Sequence, residues 1–154
     1  MPNISGVFQP WGSLAGDLTE HTFPFRVSSL VTVTKGFPVI MINGYLELAN
    51  GTTLDEIVGV AAETVTGTTT STKALVYTDP NLVYAADSDA VHAFADIGDI
   101  FRVVASGSTI DTSSGAGSSQ QAFVLVKVDP YEENDMSAGL FKIYTNLWQN
   151  NSQT

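Results

Sequence analysis

"GTTLDEIVGVAAETVTGTTTSTKALVYTDPNLVYAADSD" spans residues 51–89, and its reading decides the fold. It holds one base, Lys73, among acids, threonines and small apolar residues. The acids invite a search for a catalytic or metal site. The Val, Ile and Thr content instead points to strands joined by polar loops. Segment 56–65, EIVGVAAETV, reads as a strand in which Gly59 marks a bulge or a close backbone approach. GTTTST (67–72) is a polar tip, and KALVYT (73–78) is the returning strand. Asp79-Pro80 ends it, because proline has no N–H to give a ladder. NLVYAA (81–86) follows as a short strand. The stretch is strand–loop–strand scaffolding with acids on its rim.

The same grammar extends in both directions, and helical periodicity is nearly absent. SSLVTVT (28–34) alternates, and FPVIMINGYLELA (37–49) is two apolar runs around Asn43-Gly44. Asn-Gly between β-formers signals a hairpin, since a type I′ turn needs positive φ at both central positions. Asn50-Gly51 marks a second turn. DSDAVHAFADIGD (87–99) has room for one helical turn, with Asp87 or Asp89 as its N-cap. IFRVVA (100–105), QAFVLVKV (121–128) and GLFKIYTNLW (139–148) are strands. A long Gly/Ser loop (106–120) and the acidic loop DPYEENDMSA (129–138) connect them. Strands with turn signals at this spacing predict an all-β fold, a single β-barrel or β-sandwich domain over residues 26–148. Residues 1–25 read as an extended amino-terminal arm and residues 149–154 as a polar tail. The arm carries Phe8, Trp11, Phe23 and Phe25 without alternation, and is expected to lie on a surface, its own or a neighbour's.

Composition narrows the function. At 154 residues and 44% hydrophobic content the chain can bury one ordinary core. Cysteine is absent, which removes disulfides and thiolate metal sites. Sixteen acids against six bases give a formal charge of -10, unsuited to binding nucleic acid or an anionic membrane. The amino end has neither a basic n-region nor an apolar h-region, so no secretory signal is expected. The apolar runs are too short to span a bilayer as helices.

No motif points to chemistry. The serines of GSTIDTSSGAGSS (107–119) have no G-x-S-x-G elbow and no histidine beside them in sequence. His92, in AVHAF, reads as a packed or surface histidine. Asp87 with Asp89, Asp96 with Asp99, and DPYEEND (129–135) are acidic clusters without calcium-loop spacing. No metal or cofactor is expected. Asn3, Asn50 and Asn150 fit the glycosylation pattern, but without a leader the pattern carries no weight.

Six segments, taken in order, resemble the small head decoration (cement) proteins of tailed bacteriophages. GVFQPW (6–11) is similar to their amino-terminal G-x-x-P arm, and KGFPVIMINGYLELANGT (35–52) to the strand and glycine turn that follow. EIVGVAAE (56–63) resembles their I-x-G-V-A strand, and ALVYTDPNLVYAADSD (74–89) their D-P strand pair. ADIGDIFRVVASGSTIDTSS (95–114) looks like their D-I-G segment and Gly/Ser loop. YEENDMSAGLFKIYTNLWQ (131–149) is similar to the closing strand. Two departures are Phe37-Pro38, where an acidic G-D is commoner, and Trp148, where a histidine is often found.

The resemblance implies a non-enzymatic virion protein on the outer capsid surface, made in the host cytoplasm. It implies a homotrimer whose partner is the major capsid protein. Capsid or intersubunit contacts are then expected at Val7, Phe8, Pro10, Trp11, Phe23, Phe25 and Trp148. A carbohydrate-binding or adhesin-like β-domain is the alternative, and it needs Phe8, Trp11, Tyr77, Tyr84, Tyr131 and Tyr144 to converge on one face. A small hydrolase ranks last.

Overall fold

Short apolar and alternating runs become strands throughout the chain. The computed structural model describes residues 7–13, 22–51, 57–104, 108–113 and 122–144. Its strands are β1 (Gln9–Ser13), β2 (Thr22–Arg26), β3 (Thr32–Val33), β4 (Pro38–Ile42), β5 (Tyr45–Leu48), β6 (Ile57–Ala61) and β7 (Val65–Thr66). They continue as β8 (Lys73–Tyr77), β9 (Leu82–Asp87), β10 (Ile100–Val103), β11 (Ile110–Asp111), β12 (Ala122–Val128) and β13 (Ala138–Ile143). Among the described residues one 3-10 turn, Phe94–Asp96, interrupts them. The fold is all-β, as the pattern predicts.

The strands form a six-stranded sheet in the order β1-β9-β13-β12-β10-β11 and a five-stranded sheet in the order β2-β8-β6-β4-β5. The strand pairs within both sheets are antiparallel. A small ribbon, β3 with β7, stands apart from both. The main core lies between the two large sheets. Ile40, Ile57 and Val60 on one side meet Leu82, Tyr84, Phe123, Leu125 and Phe141 on the other. A second core lies on the far face of the five-stranded sheet, where Val39, Val58 and Val76 are covered by Val27 and Val33. The five-stranded sheet is therefore apolar on both faces, and all five residues of β6 are buried.

Gly59 reconciles these two faces. Val39 pairs with Gly59 and Ile40 with Ile57, which leaves Val58 as an extra residue, a β-bulge. Ile57 and Val60 then both point into the main core, while Val58 and Ala61 both point into the second. A Cβ on Gly59 would lie 1.8 Å from the Tyr77 carbonyl oxygen. The bulge and the close approach expected from sequence are both present. Asn43 and Gly44 have φ of 52° and 86°, the turn that joins β4 to β5.

Two prolines lie in edge strands, and a third, Pro38, opens the interior strand β4. Pro10 lies in β1 and Pro24 in β2, each at the outer edge of its sheet, where a missing N–H breaks no ladder. This revises the boundary of the arm. Residues 9–13 and 22–26 belong to the chain's own sheets rather than to a separate extension. Their irregular pattern is that of edge strands, which are only partly buried. The 106–120 loop also contains β11, whose Ile110 is fully buried in the main core. The helical turn is capped neither by Asp87 nor by Asp89. Its N-cap is Ala93, and the Asp96 carboxylate accepts the Ala93 N–H at 2.8 Å.

Two substitutions test this packing. Gly59→Ala should lower stability by about 2–4 kcal/mol, whereas Gly12→Ala, with nothing within 4 Å, should change it little. Urea titrations of both variants check the contrast. Tyr84 is fully buried, and its hydroxyl has no hydrogen-bond partner among the described residues. Burial, with Asp79 and Tyr77 adding, pushes that phenol far above its ordinary range. Tyr84→Phe should therefore raise stability by about 1–2 kcal/mol, since it removes an unsatisfied group without a cavity. A fall in the melting temperature would count against that account.

Candidate functional site

The residues expected to make contacts divide into three groups. Phe8 is 1% exposed and belongs to its own domain's core, packed 4.7 Å from the Phe123 ring and edge-on to Tyr84. Within the chain it is a packing residue. The Phe8 N–H donates to the Gly36 carbonyl at 2.6 Å, a tertiary bond that holds the segment against the domain. A Cβ on Gly36 would lie 2.7 Å from the Val7 Cβ, and Gly36 has φ of 84°, so glycine is needed twice over. Val7 and Pro10 are half-buried and, with Lys35, Gly36, Ala61 and Tyr77, line a cleft of about 260 Å³. Phe25 packs against the second core.

Trp11 and Phe23 remain exposed, at 41% and 57%. Trp11 is the bulged residue of β1 and meets Tyr131 edge-to-face, with ring centroids 5.4 Å apart. Of the aromatics that a sugar platform would require, the structure joins this pair; Phe8 and Tyr84 lie in the core instead. Trp148 lies outside the described residues.

The loop after β9 contains an arrangement that sequence spacing did not flag. Ser88 Oγ and His92 Nε2 are 2.6 Å apart, and His92 Nδ1 lies 3.7 Å from Asp96 Oδ2. Serine, histidine and acid stand in the order of a hydrolytic triad. Three features argue for a structural clasp. Ser88 and His92 are 8% and 3% exposed, so a substrate carbonyl has no approach. The imidazole is walled by Phe101 and Phe141, at centroid distances of 5.0 and 5.9 Å. The Asp96 oxygen is too far from Nδ1 for a hydrogen bond and is already engaged by the Ala93 N–H. The i, i+4, i+8 spacing was visible in the chain. The turn that folds it back was not.

The clasp fixes the loop from beneath. The His92 N–H donates to the Met136 carbonyl at 2.8 Å, and the Asp89 N–H donates to the Ile110 carbonyl at 2.9 Å. Asp89 Oδ1 accepts the Thr112 N–H and hydroxyl at 2.9 and 2.7 Å. Gly98 N–H donates to Leu125 O, and Leu125 N–H donates to Asp99 O, so the loop is also tied to β12. On this stiff base Val91, Phe94 and Ile97 are exposed at 72%, 72% and 43%.

The acidic loop after β12 is organised around its own carboxylate. Asp129 accepts backbone N–H groups from Glu133 and Asp135 on Oδ1 and from Asn134 on Oδ2. Asp129, Glu132 and Asn134 all have positive φ. Backbone donors converging on a carboxylate form a nest for an anion, and Asp129 occupies it itself. Among the described residues no group of three or more His, Asp or Glu is placed to hold a metal ion.

No protein-family model, curated protein or solved structure matches the chain.

Titration of His92 reports on the clasp. Burial lowers its pKa from the ordinary 6.5, with the Asp96 carboxylate opposing, so the folded state favours neutral imidazole. The unfolded chain then takes up a proton first, and stability should fall as pH drops below about 6.5 toward the folded-state value. Above that window this group contributes no slope. Urea midpoints measured from pH 7.5 to 5.5 should fall more steeply in the wild type than in His92→Gln. Equal slopes would remove the clasp as the source. A fluorophosphonate probe should leave Ser88 unlabelled, and labelling would restore the hydrolase reading.

Proposed function

We propose that this chain is a non-enzymatic structural protein of a bacteriophage head. It is a decoration or cement protein that binds the assembled major capsid lattice as a trimer. One observation carries the choice of binding over chemistry. Ser88 and His92 of the Ser88–His92–Asp96 arrangement are buried, while large apolar side chains, Trp11, Phe23 and Phe94, stand exposed on an acidic domain. Side chains of this kind on ordered strands and a stapled turn suit protein contacts. The ordered resemblance of six segments supplies the identity of the partner.

The physics of such a role is simple. A protein that binds the lattice but not the free coat subunits stabilises the lattice by mass action. A trimer engaging several subunits gains about 10²–10⁴ in avidity over one contact. A formal charge of -10 keeps decorated particles apart.

The test is to add the purified chain to undecorated heads built from the coat protein of the same genome. Saturable binding at a fixed stoichiometry, with a higher head disruption temperature, is the expected result. Native mass spectrometry should find trimers free or on the lattice. Absence of binding to expanded heads would overturn the reading. The Trp11–Tyr131 pair favours a second reading, glycan binding. A glycan array that responds to the wild type but not to Trp11→Ala would move the assignment there.

A further inference from the structure

We infer that Val91, Phe94 and Ile97 form the docking tip through which this domain meets its protein partner. The complementary surface is an apolar slot bordered by Lys and Arg side chains. The inference deepens the capsid reading and rests on it.

The tip has three properties that an anchor needs. First, it is apolar and open: Val91 and Phe94 are each 72% exposed and Ile97 is 43% exposed. Phe94 and Ile97 stand three residues apart across the 3-10 turn, the separation at which side chains eclipse. Val91 lies three residues before Phe94, ahead of the 3-10 turn. Together they present one aromatic and two branched side chains from seven consecutive residues.

Second, the tip is stiff before it binds. His92 is held by Ser88 beneath it, and its N–H by Met136. Asp96 closes the turn through the Ala93 N–H, and Gly98 and Asp99 bond to both backbone groups of Leu125. Exposed apolar side chains on a backbone tied at both ends lose little further entropy on docking. The buried histidine and serine, idle as chemistry, find their use here.

Third, charge selects the partner. Residues 87–99 contain Asp87, Asp89, Asp96 and Asp99 and no Lys or Arg. Asp89 and Asp99 are exposed beside the apolar tip. Two copies meeting tip to tip would bring these carboxylates together, which opposes association. A surface with a basic rim around an apolar slot satisfies both features at once. Apolar burial would set the dissociation rate, and the acids would set the approach and its salt dependence.

The experiment measures affinity for undecorated heads of the same genome, using wild type, Phe94→Ala, Val91→Gln and Asp99→Asn. The altered side chains are all exposed, so cooperative melting close to wild type is expected and serves as the folding control. Phe94→Ala should weaken binding by about 30-fold or more, and Val91→Gln by about tenfold. Asp99→Asn should slow association and flatten its dependence on salt, with a smaller effect on dissociation. If wild type binds and the variants bind equally well, the tip is not the docking element, although the capsid reading survives. If wild type does not bind at all, that reading falls and this inference with it. Should the variants lose self-association while keeping head binding, the occupant is a second copy, and the proposed partner is wrong.

Discussion

The structure depends on β6 being buried on both faces. Ile57 and Val60 lie in the main core, and Val58 and Ala61 in the second, with Gly59 pressed against the Tyr77 carbonyl between them. Strict two-residue alternation would put Ile57 with Ala61 on one face and Val58 with Val60 on the other, which is not the observed division. The bulge at Val58 changes the parity at that point. Because β4 and β8 pair on either side of β6, the bulge sets which of their residues face which core. A side chain at Gly59 would push β8 away and open both cores together.

That double burial explains why the domain has layers rather than one sheet folded on itself. The ribbon of β3 and β7 exists to cover Val39, Val58 and Val76, which would otherwise face water. The Thr32 and Thr66 hydroxyls bond across it at 2.7 Å, a polar outer surface over an apolar inner one. The six-stranded sheet needs no such cover over most of its outer face. There a smaller cluster, Val83, Ala85 and Leu140 with Val126 and Tyr131, is the apolar content. Edges are handled with equal economy: prolines sit in β1 and β2, and Val27 bridges to Leu46 beside β5.

Polar chemistry in this domain serves to shape loops. Asp129 gathers the backbone of its own turn, Asp89 ties β11 to the loop after β9, and His92 clasps Ser88 below Phe94. In each case the acid or base meets a donor or acceptor within the domain.

Much of the fold was written in local sequence, because strand and turn chemistry is local. Asn43-Gly44 needs positive φ, Asp79-Pro80 stops a ladder, and EIVGVAAE announces a strand with a flaw at Gly59. The all-β class, most strand positions and that glycine followed from these residues alone. Tertiary structure decided what neighbours alone reveal. Phe8 and Trp11 belong to one Gly- and Pro-rich segment, and the bond from Phe8 N–H to Gly36 O and the bulge at Trp11 in β1 go with burial of the first and exposure of the second. The short strand β11 was hidden in a Gly/Ser loop, since a two-residue strand has no periodicity to read. His92 read as a packed or surface histidine, and of the two the structure has it packed. Its pairing with Ser88 and the exposure of Val91, Phe94 and Ile97 above it depend on β12 and β13 packing from far along the chain. Local sequence sets the conformation of each strand and turn, but the exposure of a side chain depends on distant segments that cover it or leave it bare.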